Sequence, residues 1–372
     1  MIARTDELDA RQIVDDLIDR AIAGRASDIH VDPGADGFQI KFRVDGLLET
    51  VESHPPDLGR MMVTRLMVMA KLLTYRPGVP QEGRASVVSK SLEKKSPIEL
   101  RVSIMPTTHG PRAAVRLPAE LLQPQSLEDL LLPAHVLTGL HRFAHADSGM
   151  LLVIGPAGAG KTTTIYALLR HIAHSNAGVS IVSLEDPVER DLSASGIVQI
   201  EVSPFGELSY DRALRSILRQ DPQVLMLGEI RDAATASIAV QAALSGHRLI
   251  CTLHASTPAG ALVRLMEMGV EPYQLTSAVF GISSQRLLRR RDQDRYRGRV
   301  PLAEFVEMNE ALRRAVLARS DLDTLRDSYA SQANYRSLES IAVELIDRGM
   351  TDTAELERVL GAPRTTSLNR HR

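Results

Sequence analysis

Residues 155–162 read GPAGAGKT and stand directly after the apolar run MLLVI. A backbone that wraps its N–H groups around phosphates needs that path clear of side chains. Gly155, Gly158 and Gly160 clear it, with Pro156 and Ala159 between them. Lys161 supplies a point charge to the β and γ phosphates, and Thr162 offers a hydroxyl to Mg²⁺. Thr163 continues into a helix whose positive end faces the anion. The loop has the required strand before it and helix after it, so residues 155–163 are the expected nucleotide-binding segment. The flanking text constrains the fold as well. MLLVIG, GVSIVSLEDP, VLMLGEI and RLICTLHAS are apolar runs separated by helical stretches such as TTTIYALLRHIA. Continuous apolar strands alternating with helices imply a mostly parallel sheet covered on both faces, an α/β class.

Binding alone does not hydrolyse a triphosphate. That step also needs an acid on the metal and a group that orients the attacking water. Two acidic clusters end predicted strands, where ligands sit in open parallel sheets. SLEDPVER carries Glu185, Asp186 and Glu189, and MLGEIRD carries Glu229 and Asp232. An acid ending an apolar strand is costly to desolvate without a cation or water to serve. The strand ending CTLHAS is bracketed by His247 and His254, candidate sensors of the γ-phosphate.

Elsewhere the chain has a different texture. Over residues 7–24, Leu8, Ile13, Val14, Leu17, Ile18 and Ala21 recur near helical spacing. SDIHVDP and FQIKFRVDG then read as strands, the second ending at the turn signal Asp45-Gly46. MMVTRLMVMAKLL reads as one helix whose methionines form a packed core face. PQEGRASVVS, IELRVSIMPTTHG and RAAVRL read as three further strands. Residues 1–117 are therefore a small α/β domain. Prolines 118, 124 and 133 mark 118–133 as a linker, and 134–372 form the second domain. That domain is helical from about Asn309 onward, and the tail TTSLNRHR is expected to be loose.

Bulk properties exclude several classes. The 372 residues suit two domains, and 44% apolar content allows real cores. With 3% aromatics, no Trp and a net charge of −2, neither base-stacking platforms nor a global basic field is available, and no nucleic-acid partner is expected. The single cysteine, Cys251, excludes an intramolecular disulfide and a cysteine-built zinc site. It reads as a small buried apolar residue, and no zinc site is expected. No apolar run of about 18 residues and no signal peptide appear, so the expectation is a cytoplasmic protein without a transmembrane segment. QRLLRRRDQDRYRGR holds seven arginines against two aspartates and is expected to be a solvated loop or subunit-interface surface.

Together, GPAGAGKTTTIY, SLEDPVE, LRSILRQDPQVLMLGEIRD and GHRLICTLHAS resemble the ATPases that drive type II secretion and type IV pilus systems. In that family these are the Walker A, Asp box, Walker B and His box. The likeness extends forward through ASDIH, RVDG, PQEGR and RVSIMPT, and covers roughly residues 10–360. It implies a PAS-like N-terminal α/β domain and a RecA-like motor domain, assembled as a homo-hexamer with ATP and Mg²⁺ between the two domains. It also implies an inner-membrane platform protein as partner and a location peripheral to that membrane. By matching motif, Glu185 would orient the hydrolytic water and Glu229 would act near Mg²⁺, although these two roles are exchangeable. Arg101 and Arg116 would reach the γ-phosphate, since charge developing on the transferred phosphoryl wants a guanidinium fork.

Three departures stand out. No tetracysteine insert follows QRLLRR, as it does in type II secretion members. Many members carry a further N-terminal docking domain, whereas ASDIH is reached here within the first 30 residues. Pro111 replaces the glutamate of the usual GER. Alternatives to a mechanochemical motor are a RecA-like nucleic-acid translocase and a nucleotide-gated, non-catalytic scaffold.

Overall fold

The computed structural model describes residues 10–90, 97–118, 126–176, 178–203, 208–293 and 295–361. The expected loose tail and residues 119–125 of the expected linker lie outside these. The chain divides into two compact units, Met1–Gln123 and Pro124–Arg372.

The first unit contains α1 (Ala10–Ala23), β1 (Asp28–Gly34), β2 (Gly37–Val44), β3 (Leu47–His54), α2 (Pro56–Met69), β4 (Gln81–Val87), β5 (Ile98–Thr107) and β6 (Gly110–Arg116). Its six strands lie in the order β3-β2-β1-β6-β5-β4, every pair antiparallel. Asp45 and Gly46 form the two-residue turn between β2 and β3. Both have positive φ (48° and 91°), which is why the Asp-Gly pair works there. One sheet face is apolar: Ile29, Val31, Phe38, Ile40, Leu100 and Val102 bury against Val14, Leu17 and Ile18 of α1 and Met62, Leu66 and Met67 of α2. The methionine helix therefore does turn a core face inward, while Met61 and Val68 remain exposed.

The second unit begins with a short helical turn (Glu128–Leu130) and α3 (Ala134–Ala144). Leu127, Leu130 and Leu132, from the C-terminal part of the expected linker, are buried in its core. The sheet strands are β7 (Gly149–Ile154), β8 (Ile181–Glu185), β9 (Ile197–Glu201), β10 (Val224–Leu227), β11 (Arg248–Leu253), β12 (Val279–Asp292) and β13 (Arg295–Glu307). They lie in the order β13-β12-β7-β11-β10-β8-β9, and only the β12–β13 pair is antiparallel. Helices α4 (Lys161–Ser175), α5 (Tyr210–Ile217), α6 (Ala233–Leu244), α7 (Pro258–Glu267) and α8 (Pro272–Ala278) fill the connections. Every residue of β7, β10 and β11 is buried. Alternate side chains serve opposite cores: Leu152, Leu225 and Cys251 face one, and Leu151, Met226 and Ile250 the other. Cys251 is wholly buried, and that burial pushes its thiol pKa up, out of the range of a nucleophile. Helices α9 (Glu310–Leu317), α10 (Leu322–Ala330), α11 (Leu338–Asp347) and α12 (Thr353–Leu360) complete the chain, and the Asn309 side chain caps α9 by accepting from the Leu312 N–H.

The arginine-rich stretch is not a solvated loop. It forms the distal halves of the β12–β13 hairpin, where Leu288, Val300 and Leu302 pack against Leu338, Ile341 and Leu345 of α11. Arg289 lies over the Tyr296 ring and pairs, together with Arg358, with the fully buried carboxylate of Glu355. Charge density concealed an alternating strand pair in which Arg286 and Arg289 have structural partners while Arg290, Arg291, Arg295, Arg297 and Arg299 are exposed. No helix among the described residues is long and apolar enough to cross a membrane.

Candidate nucleotide site

The glycine loop leaves β7 at Gly155 and enters α4 at Lys161. Gly155 has φ 146°, and a Cβ there would lie 2.4 Å from the Gln285 carbonyl oxygen. Gly160 has φ 85°, a left-handed conformation that lets the chain turn directly into the helix. Lys161 folds over the loop and donates to the carbonyls of Gly155 and Pro156, both at 2.9 Å. Burial, opposed by the carboxylate of Glu229, lowers its pKa from the usual lysine value. Thr162 and Thr163 follow in the first turn of α4.

A residue outside the four ATPase motifs braces this loop, and its neighbour is anchored beside it. The Gln285 amide donates to the Ala159 carbonyl at 2.8 Å. Arg286 donates to the carbonyls of Gln285 and Ser256, at 2.9 and 3.0 Å. Both come from the QRLLRR segment, whose composition pointed to surface. Only the parallel register of β12 against β7 reveals them.

Sheet register brings three further groups to the same rim. Leu184 pairs with Leu227, and Leu227 with Cys251, so Glu185, Glu229 and His254 follow the C-terminal ends of adjacent strands. Glu185 is 3% exposed. It accepts from the Tyr166 hydroxyl on α4, from Ser183 Oγ at 2.6 Å and from Gln199 Nε2 at 2.9 Å. A carboxylate has about four acceptor positions, so roughly one is left after these bonds. Glu229 is held differently, by Arg231 Nε at 2.6 Å and His254 Nε2 at 2.8 Å. Arg231 also reaches Asp186 at 3.4 Å.

His247 does not join them. Leu253 pairs with Ile154, which sets His254 at the level where the loop opens, whereas Arg248 pairs with Gly149 at the opposite strand end. His247 precedes that end and bonds through Nδ1 to the Ala242 carbonyl at 3.0 Å. It is a full six-residue strand, roughly 20 Å, from the loop. Its expected place beside the nucleotide is corrected accordingly.

In the first unit, register makes a row of cations. Arg84, Arg101 and Arg116 are direct partners across β4, β5 and β6, and so share one face of the sheet. Asp28 follows Arg116 in the row and pairs with it at 3.1 Å. Arg84 pairs with Glu99 at 3.2 Å, so carboxylates at both ends offset part of the charge, and the like charges lying directly opposite one another leave the row suited to a further anion. Arg84 ends the PQEGR segment but was not named as a site residue; register brings it into the row.

Two strands over from the end of β7, Glu304 on β13 is 5% exposed and accepts from the Tyr335 hydroxyl at 2.7 Å. Burial pushes its pKa up to about 7 from an ordinary value of 4.5. Between those values the folded chain binds the extra proton, so stability falls as pH rises through this window. The expected loss between pH 5 and 8 is about 3 kcal/mol, removed by Glu304→Gln. Urea unfolding of both proteins at the two pH values checks this, and parallel pH dependence in both overturns it.

A glycine loop between a central parallel strand and a helix, with acids ending neighbouring strands, defines a P-loop nucleotide-binding domain. A sequence model of the type II/IV secretion system protein family matches residues 4–358. The chain is 35% identical over 387 residues to type II secretion system protein E of Xanthomonas campestris, covering 94% of this chain and 67% of that protein. It is 39% identical over 289 residues to type II secretion system ATPase E of Vibrio cholerae, covering 78% of this chain and 56% of that one. The chain thus spans between about half and two thirds of these relatives. Among solved structures, the pilus retraction motor PilT with bound ADP superposes with a TM-score of 0.68 at 25% identity, over 96% of this chain and 98% of PilT. The chain belongs to the type II/IV secretion system protein family and is, by fold and relatives, a secretion-class ATPase.

Proposed function

We propose that this chain hydrolyses Mg²⁺-ATP at residues 155–163 as one subunit of a homo-hexameric motor that powers a type II secretion or type IV pilus assembly system. The observation that carries the proposal is the convergence of Lys161, Glu185, Glu229 and His254 at the C-terminal rim of one parallel sheet. Mg²⁺ would take the Thr162 hydroxyl and the Glu229 carboxylate. Both are hard oxygen ligands, and Glu229 acts electrostatically on Lys161, which fits a cation between acid and loop. Bound there, the ion would neutralise charge on the phosphates. Glu185, with about one acceptor position left, orients a water. His254 senses the γ-phosphate through its bond to Glu229.

Arg101 and Arg116, with Arg84 beside them in the row, would supply guanidinium charge to the γ-phosphate when the motor closes. Closure and reopening would pass motion to an inner-membrane platform protein, from the cytoplasmic side. Nucleotide loaded between closed lobes is a recognised way to turn phosphate contacts into rigid-body movement. Arg101→Ala is expected to leave nucleotide affinity within about threefold while cutting turnover by about 100-fold or more, as loss of an arginine finger does. Fluorescent-nucleotide binding and steady-state phosphate release read the two separately. Equal loss of both overturns the closure role.

A further inference from the structure

A second cluster of ligating groups lies in the same unit as the P-loop, on the first half of its chain. Glu128 comes from the short helical turn, His141 from α3 and His171 from α4, and one ligand atom from each lies within 4.8 Å of the others. His141 Nδ1 is 3.2 Å from His171 Nε2, and His141 Nε2 is 3.6 Å from Glu128 Oε1. His141 meets its two neighbours through different ring nitrogens, and one ion can take only one of them; with one atom from each residue the set spans up to 4.8 Å, against about 3.3 Å between donors bound at 2.0–2.1 Å to a tetrahedral ion, a gap that rotation of the exposed Glu128 side chain closes. We propose that Glu128, His141 and His171 bind one divalent transition-metal ion of the zinc class.

The donor set selects the metal. Two imidazoles and a carboxylate suit zinc and its neighbours, whereas magnesium prefers oxygen ligands alone. Imidazole must be neutral to ligate. The surroundings are also crowded with imidazole. The His145 ring centroid is 6.3 Å from that of His171, and His145 Nδ1 is engaged by the His141 carbonyl at 2.8 Å, which orients the ring. A bare hydrogen bond between two histidines accounts for one contact. It does not account for a carboxylate converging on the same pair from a third element.

Such an ion ties α3 and the leucine-bearing turn to the body of α4. The helix that begins at Lys161 is held ten residues further on, roughly 15 Å along its axis. The expectation of no zinc site was drawn from cysteines, and this cluster contains none. Its members are far apart in sequence and meet only through the packing of α3 on α4.

The test uses the full chain, free of any affinity tag, dialysed against chelator and titrated with Zn²⁺ or Co²⁺ alone, without nucleotide. Expected results are one Zn²⁺ per chain with Kd of about 1 μM or tighter, a higher melting temperature with the ion, and a Co²⁺ visible spectrum typical of tetrahedral coordination. Excess Mg²⁺ should not displace the ion. Glu128→Gln, at an exposed position that tolerates change, should weaken binding at least about tenfold, and His171→Gln more so. Wild-type affinity in Glu128→Gln together with unchanged stoichiometry in His171→Gln would assign the ion to other histidines and overturn the proposal. Binding no tighter than that background overturns it as well. Should His171→Gln fold poorly, the Glu128→Gln titration decides.

Discussion

Lys161→Ala is expected to abolish ATP turnover, by at least about 1,000-fold, and to weaken ATP binding by more than about tenfold. The ammonium already sits over the loop, bonded to the Gly155 and Pro156 carbonyls. A bound triphosphate needs only to draw it from those oxygens to its own. Burial disfavours the charged ammonium where it stands, as the lowered pKa records, so incoming phosphate charge gains from a cation that water solvates poorly. The variant should fold normally. Alanine is the best helix former at the start of α4, and the brace from Gln285 reaches the loop through Ala159 rather than Lys161. Arginine is no substitute, because a planar fork cannot replace a compact point charge inside so tight a loop. Phosphate release from purified protein, paired with a melting curve, separates loss of chemistry from loss of fold. Turnover retained at wild-type rate would place hydrolysis elsewhere.

What the sequence reveals and conceals follows the range of the interactions involved. The strand, glycine loop and helix around residue 155 are legible because phosphate binding of this kind is local and each residue type has one reason to be there. Glu185, Glu229 and His254 are legible as strand-end residues, since ligands gather at the C-terminal ends of parallel strands. The same rule, applied strictly, would have set His247 aside: it precedes its strand, and so belongs to the far end of the sheet. The β12–β13 hairpin was concealed because arginines at successive positions swamp the alternation of Leu288, Val300 and Leu302 that makes it a strand pair. Gln285 acts on a backbone more than a hundred residues earlier, Arg286 on one thirty residues earlier, and Arg84 joins Arg101 only through antiparallel register. No local pattern carries such information.

Glu185→Gln is expected to reduce turnover by at least about 100-fold while leaving Mg²⁺-ATP affinity within about threefold. The amide is nearly the same shape, and the partners of Glu185 can adapt. Ser183 Oγ and Gln199 Nε2 both donate to Oε1, where the new amide oxygen can still accept, and the Tyr166 hydroxyl, bonded to Oε2, can rotate to accept from the new amide N–H, so the buried network stays bonded. What disappears is the negative charge that polarises a water at the remaining acceptor position. Glu229→Gln should behave otherwise. Its carboxylate faces His254, Arg231 and Lys161, so its loss should raise the Mg²⁺ concentration needed for half-maximal turnover and weaken binding of the metal-nucleotide complex. Metal titrations of the two variants, each with a direct nucleotide-binding measurement, therefore separate the roles. A Glu185→Gln protein that turns over normally, beside a Glu229→Gln protein that binds Mg²⁺-ATP normally without hydrolysing it, would exchange them. The chemistry would then belong to the acid beside His254, and the buried acid would be a brace between α4 and the sheet.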